Sequence, residues 1–148
     1  MDPAREGDHL SRRLVFLGKQ LQRRFEVMLA EHDCTLPTWA VLRYVAIHPG
    51  LSQVELASCI GIEGPTLTRH LDRLCAEGLV ARQRDERDRR VIRVSLTAAG
   101  KARWADLHTI ADAQESYLTG HLTAPQRRAL SDAITTITTA MEDHHALA

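Results

Sequence analysis

The sequence predicts a mainly α chain carrying one small β-hairpin, and three features lead there. Ser52-Gln53-Val54-Glu55 opens a short helix that Gly61 ends, and a second helix begins at Gly64-Pro65. Residues 79–84 and 91–96 then read as two strands around the tip Arg84-Asp85-Glu86-Arg87-Asp88-Arg89-Arg90. Long helices with a single apolar stripe flank this unit on both sides. Two helices joined by a glycine turn and followed by a hairpin make a winged helix-turn-helix, whose second helix can enter a DNA major groove. The expected organisation is an N-terminal dimerisation helix over 1–35, the winged helix-turn-helix over 36–97, and C-terminal dimerisation helices over 98–148.

Each element has a local cause. Over residues 8–32, Leu10, Leu14, Leu17, Leu21, Phe25 and Met28 recur at steps of three or four, one face of a helix. Pro37 suits the first turn of a second helix, which carries Trp39, Leu42, Val45 and Ala46 and stops at Pro49-Gly50. The third helix opens with a capping box, in which Ser52 and Glu55 satisfy each other's backbone donors, and turns Leu56, Ala57 and Ile60 inward. The fourth runs to Glu77 over a buried row of Leu67, Leu71 and Leu74, and Gly78 suits the left-handed residue past its end. Cys59 and Cys75 are expected on apolar faces, as small buried hydrophobes.

In the return strand Ile92, Val94 and Leu96 alternate with Val91, Arg93 and Ser95, the period of a strand. Thr97 caps a fifth helix over 98–119. Thr123-Ala124-Pro125-Gln126 opens a last one, with the stripe Leu130, Ile134, Ile137 and Met141.

The 148 residues suit one domain, or a binding unit with helical extensions. The formal charge is zero, but it is unevenly spread: residues 69–93 hold eight arginines against five acids, and residues 94–148 hold four basic residues against six acids. A basic patch on a neutral body suits reversible DNA binding. Lys19 and Lys101 are the only lysines, so nearly every cation is a guanidinium fork that matches phosphates and guanine edges. No run of eighteen apolar residues predicts a membrane span, and Met1 to Asp8 lacks the pattern of a signal peptide, so a cytoplasmic protein is expected. Cys34, Cys59 and Cys75 are odd in number and form no C-x-x-C pair, which argues against a disulfide framework. His32 with Cys34, and His108 with Asp112, make no four-ligand set, so neither metal nor other cofactor is expected.

The face of the fourth helix away from its leucines carries Thr66, Arg69, His70 and Arg73, a polar set that packing alone does not require. Thr68 lies in the same first turns. At the hairpin tip Arg87, Arg89 and Arg90 alternate with Asp85 and Asp88, as if the acids held the guanidiniums in place. Ser52 is first a cap, and its helix N-terminus, with Gln53 beside it, also suits a phosphate. Asp72 is expected to pair with a nearby arginine. The terminal helices carry more apolar stripe than so small a core can cover. A second copy is the expected partner, placing two reading helices roughly 34 Å apart on a palindromic site.

Leu51-Ser52-Gln53-Val54-Glu55-Leu56-Ala57, Thr66-Leu67-Thr68-Arg69-His70-Leu71-Asp72-Arg73-Leu74, Gly78-Leu79-Val80, Asp85-Glu86-Arg87-Asp88-Arg89-Arg90 and Ser95-Leu96-Thr97-Ala98-Ala99-Gly100, in that order, resemble the MarR family of bacterial transcriptional regulators. The resemblance implies a homodimer that represses a promoter and releases DNA on meeting a small, often phenolic, molecule or an oxidant. It places Thr66, Thr68 and Arg69 on the recognition helix. Arg90 matches the family's minor-groove arginine, and Asp88 the acid that orients it. It also implies an effector pocket between the long helices and the winged lobe, drawing here on Arg13, Phe16, Trp39, Arg43 and Tyr44, with His9 nearby. These mix apolar walls with cations suited to an aromatic acid. The family's oxidant-sensing cysteine near the start of the first helix has no counterpart before Cys34.

Two other classes fit the residues less well. None of Ser11, Ser52, Ser58, Ser95, Ser116 and Ser131 sits in a nucleophile elbow, so no enzyme is expected. A winged-helix adaptor that binds protein rather than DNA is the stronger rival, but it has no need of basic residues on both the fourth helix and the hairpin.

Overall fold

The computed structural model describes residues 9–145, with side chains through residue 142. The expected leader-free N-terminus, residues 1–8, lies outside the described residues. The element order is α1 (Leu10–Ala30), α2 (Leu36–Ile47), α3 (Gln53–Ile60), α4 (Gly64–Ala76), β1 (Val80–Arg84), β2 (Ile92–Leu96), α5 (Ala98–Gly120) and α6 (Ala124–His145). The chain divides into two compact units, one to Ala111 and one from Asp112, with the boundary inside α5.

The caps form as the sequence requires. The Glu55 N–H donates to Ser52 Oγ at 3.1 Å, and the Ser52 N–H donates to Glu55 Oε2 at 2.8 Å. The Ser52 N–H, and after it the Ser52 side chain, hold the Glu55 carboxyl below its ordinary range. Thr35 caps α2 by accepting from the Thr38 N–H at 3.4 Å. Thr123 and Gln126 exchange bonds at the start of α6, at 2.9 and 3.4 Å. Gly61 takes φ 76° and ends α3, while Gly78 takes φ 71° between α4 and β1, a region that a Cβ disfavours.

In the first unit Leu29, Val41, Leu42, Leu56, Leu67, Leu71, Leu74, Val94 and Leu107 are fully buried around one core. Each such side chain stabilises the fold by roughly 1.5–3 kcal/mol. The leucine row of α4 is as expected. The α1 stripe divides instead: Phe25 and Leu29 enter the core, whereas Leu10, Leu14 and Leu17 stay exposed.

The cysteines correct the sequence reading. Cys59 is exposed, because it falls off the edge of the face made by Leu56, Ala57 and Ile60, whereas Cys75 is half-buried and packs against the core as expected. The buried thiol is Cys34, in the break between α1 and α2, where its Sγ–H donates to the Thr35 carbonyl at 3.4 Å. Burial pushes its pKa up, against the lowering influence of Arg103.

The hairpin is antiparallel, pairing Val80 with Leu96 through to Arg84 with Ile92. It is not isolated. Val94 N–H donates to the Leu51 carbonyl at 3.1 Å and Ser52 bridges Arg93, so the residues entering α3 are tied to β2 by a single antiparallel bridge. No described helix is long and apolar enough to cross a membrane.

Candidate nucleic-acid interface

α3, its glycine turn and α4 place the expected reading face with α4 outward and its leucines inward. Gln53 Nε2 donates to Thr68 Oγ1 at 2.7 Å, and Thr68 Oγ1 donates to the Gly64 carbonyl at 3.0 Å. These two residues therefore tie α3 to the first turn of α4. Arg69 is exposed and Thr66 and His70 are half-buried on the same helix. Arg73 is exposed too, but its Nε donates to Glu77 Oε1 at 2.8 Å, one turn further on. Asp72 pairs with Arg82 on β1, which fastens the root of the hairpin to α4.

At the hairpin tip the acids act mainly on backbone. Asp85 Oδ1 accepts from the N–H groups of Arg87 and Asp88, at 2.8 and 3.0 Å, and so closes the turn. Asp85 Oδ2 accepts from Arg93 Nε. Asp88 Oδ1 accepts from the Arg90 N–H at 3.0 Å, so its hold is on the Arg90 backbone rather than the guanidinium. Arg84, Arg87, Arg89 and Arg90 are exposed around this frame. Gln83, Arg84, Asp85, Glu86, Arg87 and Arg93 line an open depression of about 400 Å³ beside it.

Arg93 is the residue that sequence reasoning missed, together with Arg82 as the partner of Asp72. Its signal was present in part: Gln83 faces Arg93 in the register, and Asp85, two residues on, is its diagonal neighbour on the same face. That inference needs the register, which periodicity alone leaves open.

The pair with Arg93, then the N–H groups of Asp88 and Arg87, lowers the Asp85 carboxyl from 3.8 to about 2. A group depressed in the folded state stabilises it fully above the unfolded pKa and ceases to do so as pH falls through the folded one. The wing tip should therefore hold its geometry down to about pH 4 and loosen only as pH approaches 2. Following the Arg87 and Asp88 amide shifts by NMR should give a midpoint near 2. A midpoint at the ordinary 3.8 would mean that the Asp85–Arg93 pair is absent in solution.

Of the expected effector residues, the structure groups Trp39, Arg43 and Tyr44. The Arg43 guanidinium stands 5.8 Å from the Trp39 ring centre and 5.4 Å from that of Tyr44. Trp39 also meets Phe25 edge-on at 4.8 Å and tilts against Trp104 at 6.3 Å, and among the described residues its buried Nε1–H has no hydrogen-bond partner. Phe16 does not join them. It is 65% exposed, two and a half turns before Phe25, about 13 Å along α1. Arg13, a further turn away, is exposed as well, and so is His9.

A capped helix, a left-handed glycine turn, a second helix with a polar outer face, and an arginine-tipped hairpin paired to the entry of the first helix define a winged helix-turn-helix protein. Comparison with known proteins narrows this. The sequence pattern of the MarR family matches residues 32–91. CouR, a transcriptional repressor solved bound to a 23-mer DNA duplex, is 30% identical with a TM-score of 0.80, over 88% of this chain and 93% of that one. The chain belongs to the MarR family. MarR from E. coli, solved as a mutant in complex with operator DNA, is 27% identical with a TM-score of 0.77, over 86% of this chain and 92% of that one. The HTH-type transcriptional regulator TtmR of Methylorubrum extorquens (strain PA1) is 35% identical over 114 residues, which is 74% of this chain and 55% of TtmR. The chain thus spans about half the length of that curated relative.

Proposed function

We propose that this chain is a homodimeric, cytoplasmic DNA-binding transcriptional regulator, a repressor that occupies a pseudo-palindromic promoter site. The observation that carries this reading is the joint presentation of Thr66, Arg69 and His70 on α4 and of Arg87, Arg89 and Arg90 on a wing whose backbone Asp85 and Asp88 hold in shape. A helix face of this kind suits base edges, and a guanidinium-tipped hairpin suits phosphates and the adjacent minor groove. Ser52 and Gln53 stand at the entry of α3, where the helix N-terminus favours a phosphate. The DNA complexes of CouR and of E. coli MarR support the same assignment.

Two further parts belong to the proposal. The exposed stripes Leu10, Leu14, Leu17 on α1 and Ile134, Ile137, Met141 on α6 are surfaces for a second copy. The Trp39–Arg43–Tyr44 group, with an indole N–H that no described residue accepts from and a cation over aromatic faces, suits an aromatic carboxylic acid as releasing effector.

Binding to a random duplex at low and high salt tests the core of the reading. Strong binding at low salt that weakens steeply as salt rises is expected. No binding at low salt would leave the protein-adaptor reading in its place. Arg90→Ala should weaken binding to selected and random duplexes alike and reduce the salt slope by about one per wing, since each lost phosphate contact lowers the slope by that order. An unchanged slope with unchanged affinity would remove Arg90 from the interface.

A further inference from the structure

We propose that Arg93 is a positioning residue that fixes the wing tip against the entrance of the helix-turn-helix, and that its pair with Asp85 sets specific rather than general DNA affinity. The inference deepens the DNA-binding reading above and rests on it.

The hairpin tip, the return strand and a passage 43 residues earlier in the chain meet at one guanidinium. Arg93 Nη1 donates to the Gly50 carbonyl at 2.6 Å, across a separation of 43 residues. Gly50, at φ 87°, lies in the short passage between α2 and α3, two residues before the Ser52 cap. Arg93 Nε donates to Asp85, whose other oxygen holds the N–H groups of Arg87 and Asp88. The connection therefore runs from the tip backbone through Asp85 and Arg93 to the residue that leads into α3. Arg82 and Asp72 fasten the hairpin's root to α4. Among the described residues, Arg93 supplies the corresponding side-chain link for the tip.

The two bonds diverge from one planar group, and this is where arginine differs from lysine. A guanidinium directs two N–H donors at fixed angles, whereas an ammonium is a point charge on a flexible stem. A wing anchored in this way approaches the minor groove at a set distance from α4. A loosened wing still carries its charges but places them poorly. Random duplex, which is bound by charge, tolerates this, and a selected site, which needs both elements in register, does not.

The competing role for Arg93 is a plain phosphate contact, and the two roles predict opposite signs at Asp85. If Arg93 only met phosphate, Asp85→Asn would free it, remove an anion facing DNA, and strengthen binding to any duplex. Asparagine keeps an acceptor for the Arg87 and Asp88 amides, so the turn still forms, but it loses the Arg93 anchor that holds it closed.

The test uses the 148-residue chain, the duplex it selects from a random pool, and an unselected duplex alongside. Asp85→Asn and Arg93→Lys should each weaken binding to the selected duplex by about tenfold, with the unselected duplex changed less than about twofold. The double variant should be no weaker than the worse single one, since both break one connection. Hydrogen exchange should quicken at the Arg87 and Asp88 amides and stay unchanged at Leu71 and Leu74. Arg93→Lys binding like the unaltered chain, Asp85→Asn strengthening the selected duplex, or unchanged tip exchange in a protein that binds DNA would each overturn the inference alone. If the unaltered chain bound no duplex even at low salt, the DNA-binding reading itself would fall, and this inference with it.

Discussion

Gly100→Ala should destabilise the protein by about 3 kcal/mol and lower its melting temperature on the order of 10 °C. A glycine inside a helix is ordinarily a weakness, and alanine there stabilises by up to ~1 kcal/mol. Gly100 reverses the sign because of what lies beside it. A Cβ at this position would stand 1.9 Å from the Leu79 carbonyl oxygen and 2.9 Å from its carbon, and both are backbone atoms that cannot swing aside. The approach is held from three directions. Thr97 N–H donates to that same Leu79 carbonyl at 3.1 Å, Thr97 Oγ1 donates to the Gly78 carbonyl at 2.6 Å, and Gly100 N–H donates to Thr97 Oγ1 at 3.0 Å. Relief would require the start of α5 to back away from β1 and break these bonds. Gly18, in α1, has nothing within 4 Å of its would-be Cβ and is the matched control. Thermal unfolding decides the matter: Gly18→Ala should melt at or above the unaltered protein. If Gly100→Ala did so too, the contact with Leu79 would not exist in solution.

Ile137→Glu is expected to convert a dimer to a monomer and to reduce affinity for a two-half-site operator by roughly 10²–10⁴-fold. Ile134, Ile137 and Met141 lie at three- and four-residue steps on α6 and are all exposed, Ile137 by 43%. A glutamate there costs the single chain little, since the position already faces water. Within an interface it would bury an unpaired carboxylate, which is strongly unfavourable. The effect on DNA follows from geometry. Two lobes held together bind the second half-site as an intramolecular step, and separate lobes lose that effective concentration. Sedimentation with the helical circular dichroism signal retained would show the dimer to be lost without unfolding. A glutamate variant that remained dimeric would move the interface away from this stripe.

Most of the helical frame was legible in the sequence, because its determinants are local. Ser52 with Glu55, and Thr123 with Gln126, are three residues apart and decide helix starts by themselves. The left-handed turns at Gly61 and Gly78 follow from a backbone conformation that side chains disfavour. The row Leu67, Leu71, Leu74 follows from helical period alone. The exposed arginines of the tip were equally plain, since a seven-residue connection, Asp85 to Val91, offers them nowhere to be buried. Cys59 shows the limit of that reasoning: a residue beside an apolar face lies inside or outside it according to the angle at which the next helix packs. Gly100 was visible as part of a motif, but nothing local explained why glycine stood there.

Sequence by itself determined the elements, their caps, their turns, the polar face of α4 and the concentration of charge on the wing, all of which depend on interactions within about one turn or on a repeating period. Tertiary structure alone decided which charges are held and by what. Asp85 meets Arg93, Arg93 reaches Gly50, Asp72 finds Arg82, Trp39 gathers Phe25 and Trp104, and Gly100 admits Leu79. Each of these contacts depends on strand register or on the angle between packed elements, and no single segment carries that information. The divided stripe of α1 has the same origin. The period makes all of it apolar, but only the packing of α2 against its C-terminal half determines that Phe25 and Leu29 are covered and Leu10, Leu14 and Leu17 are not.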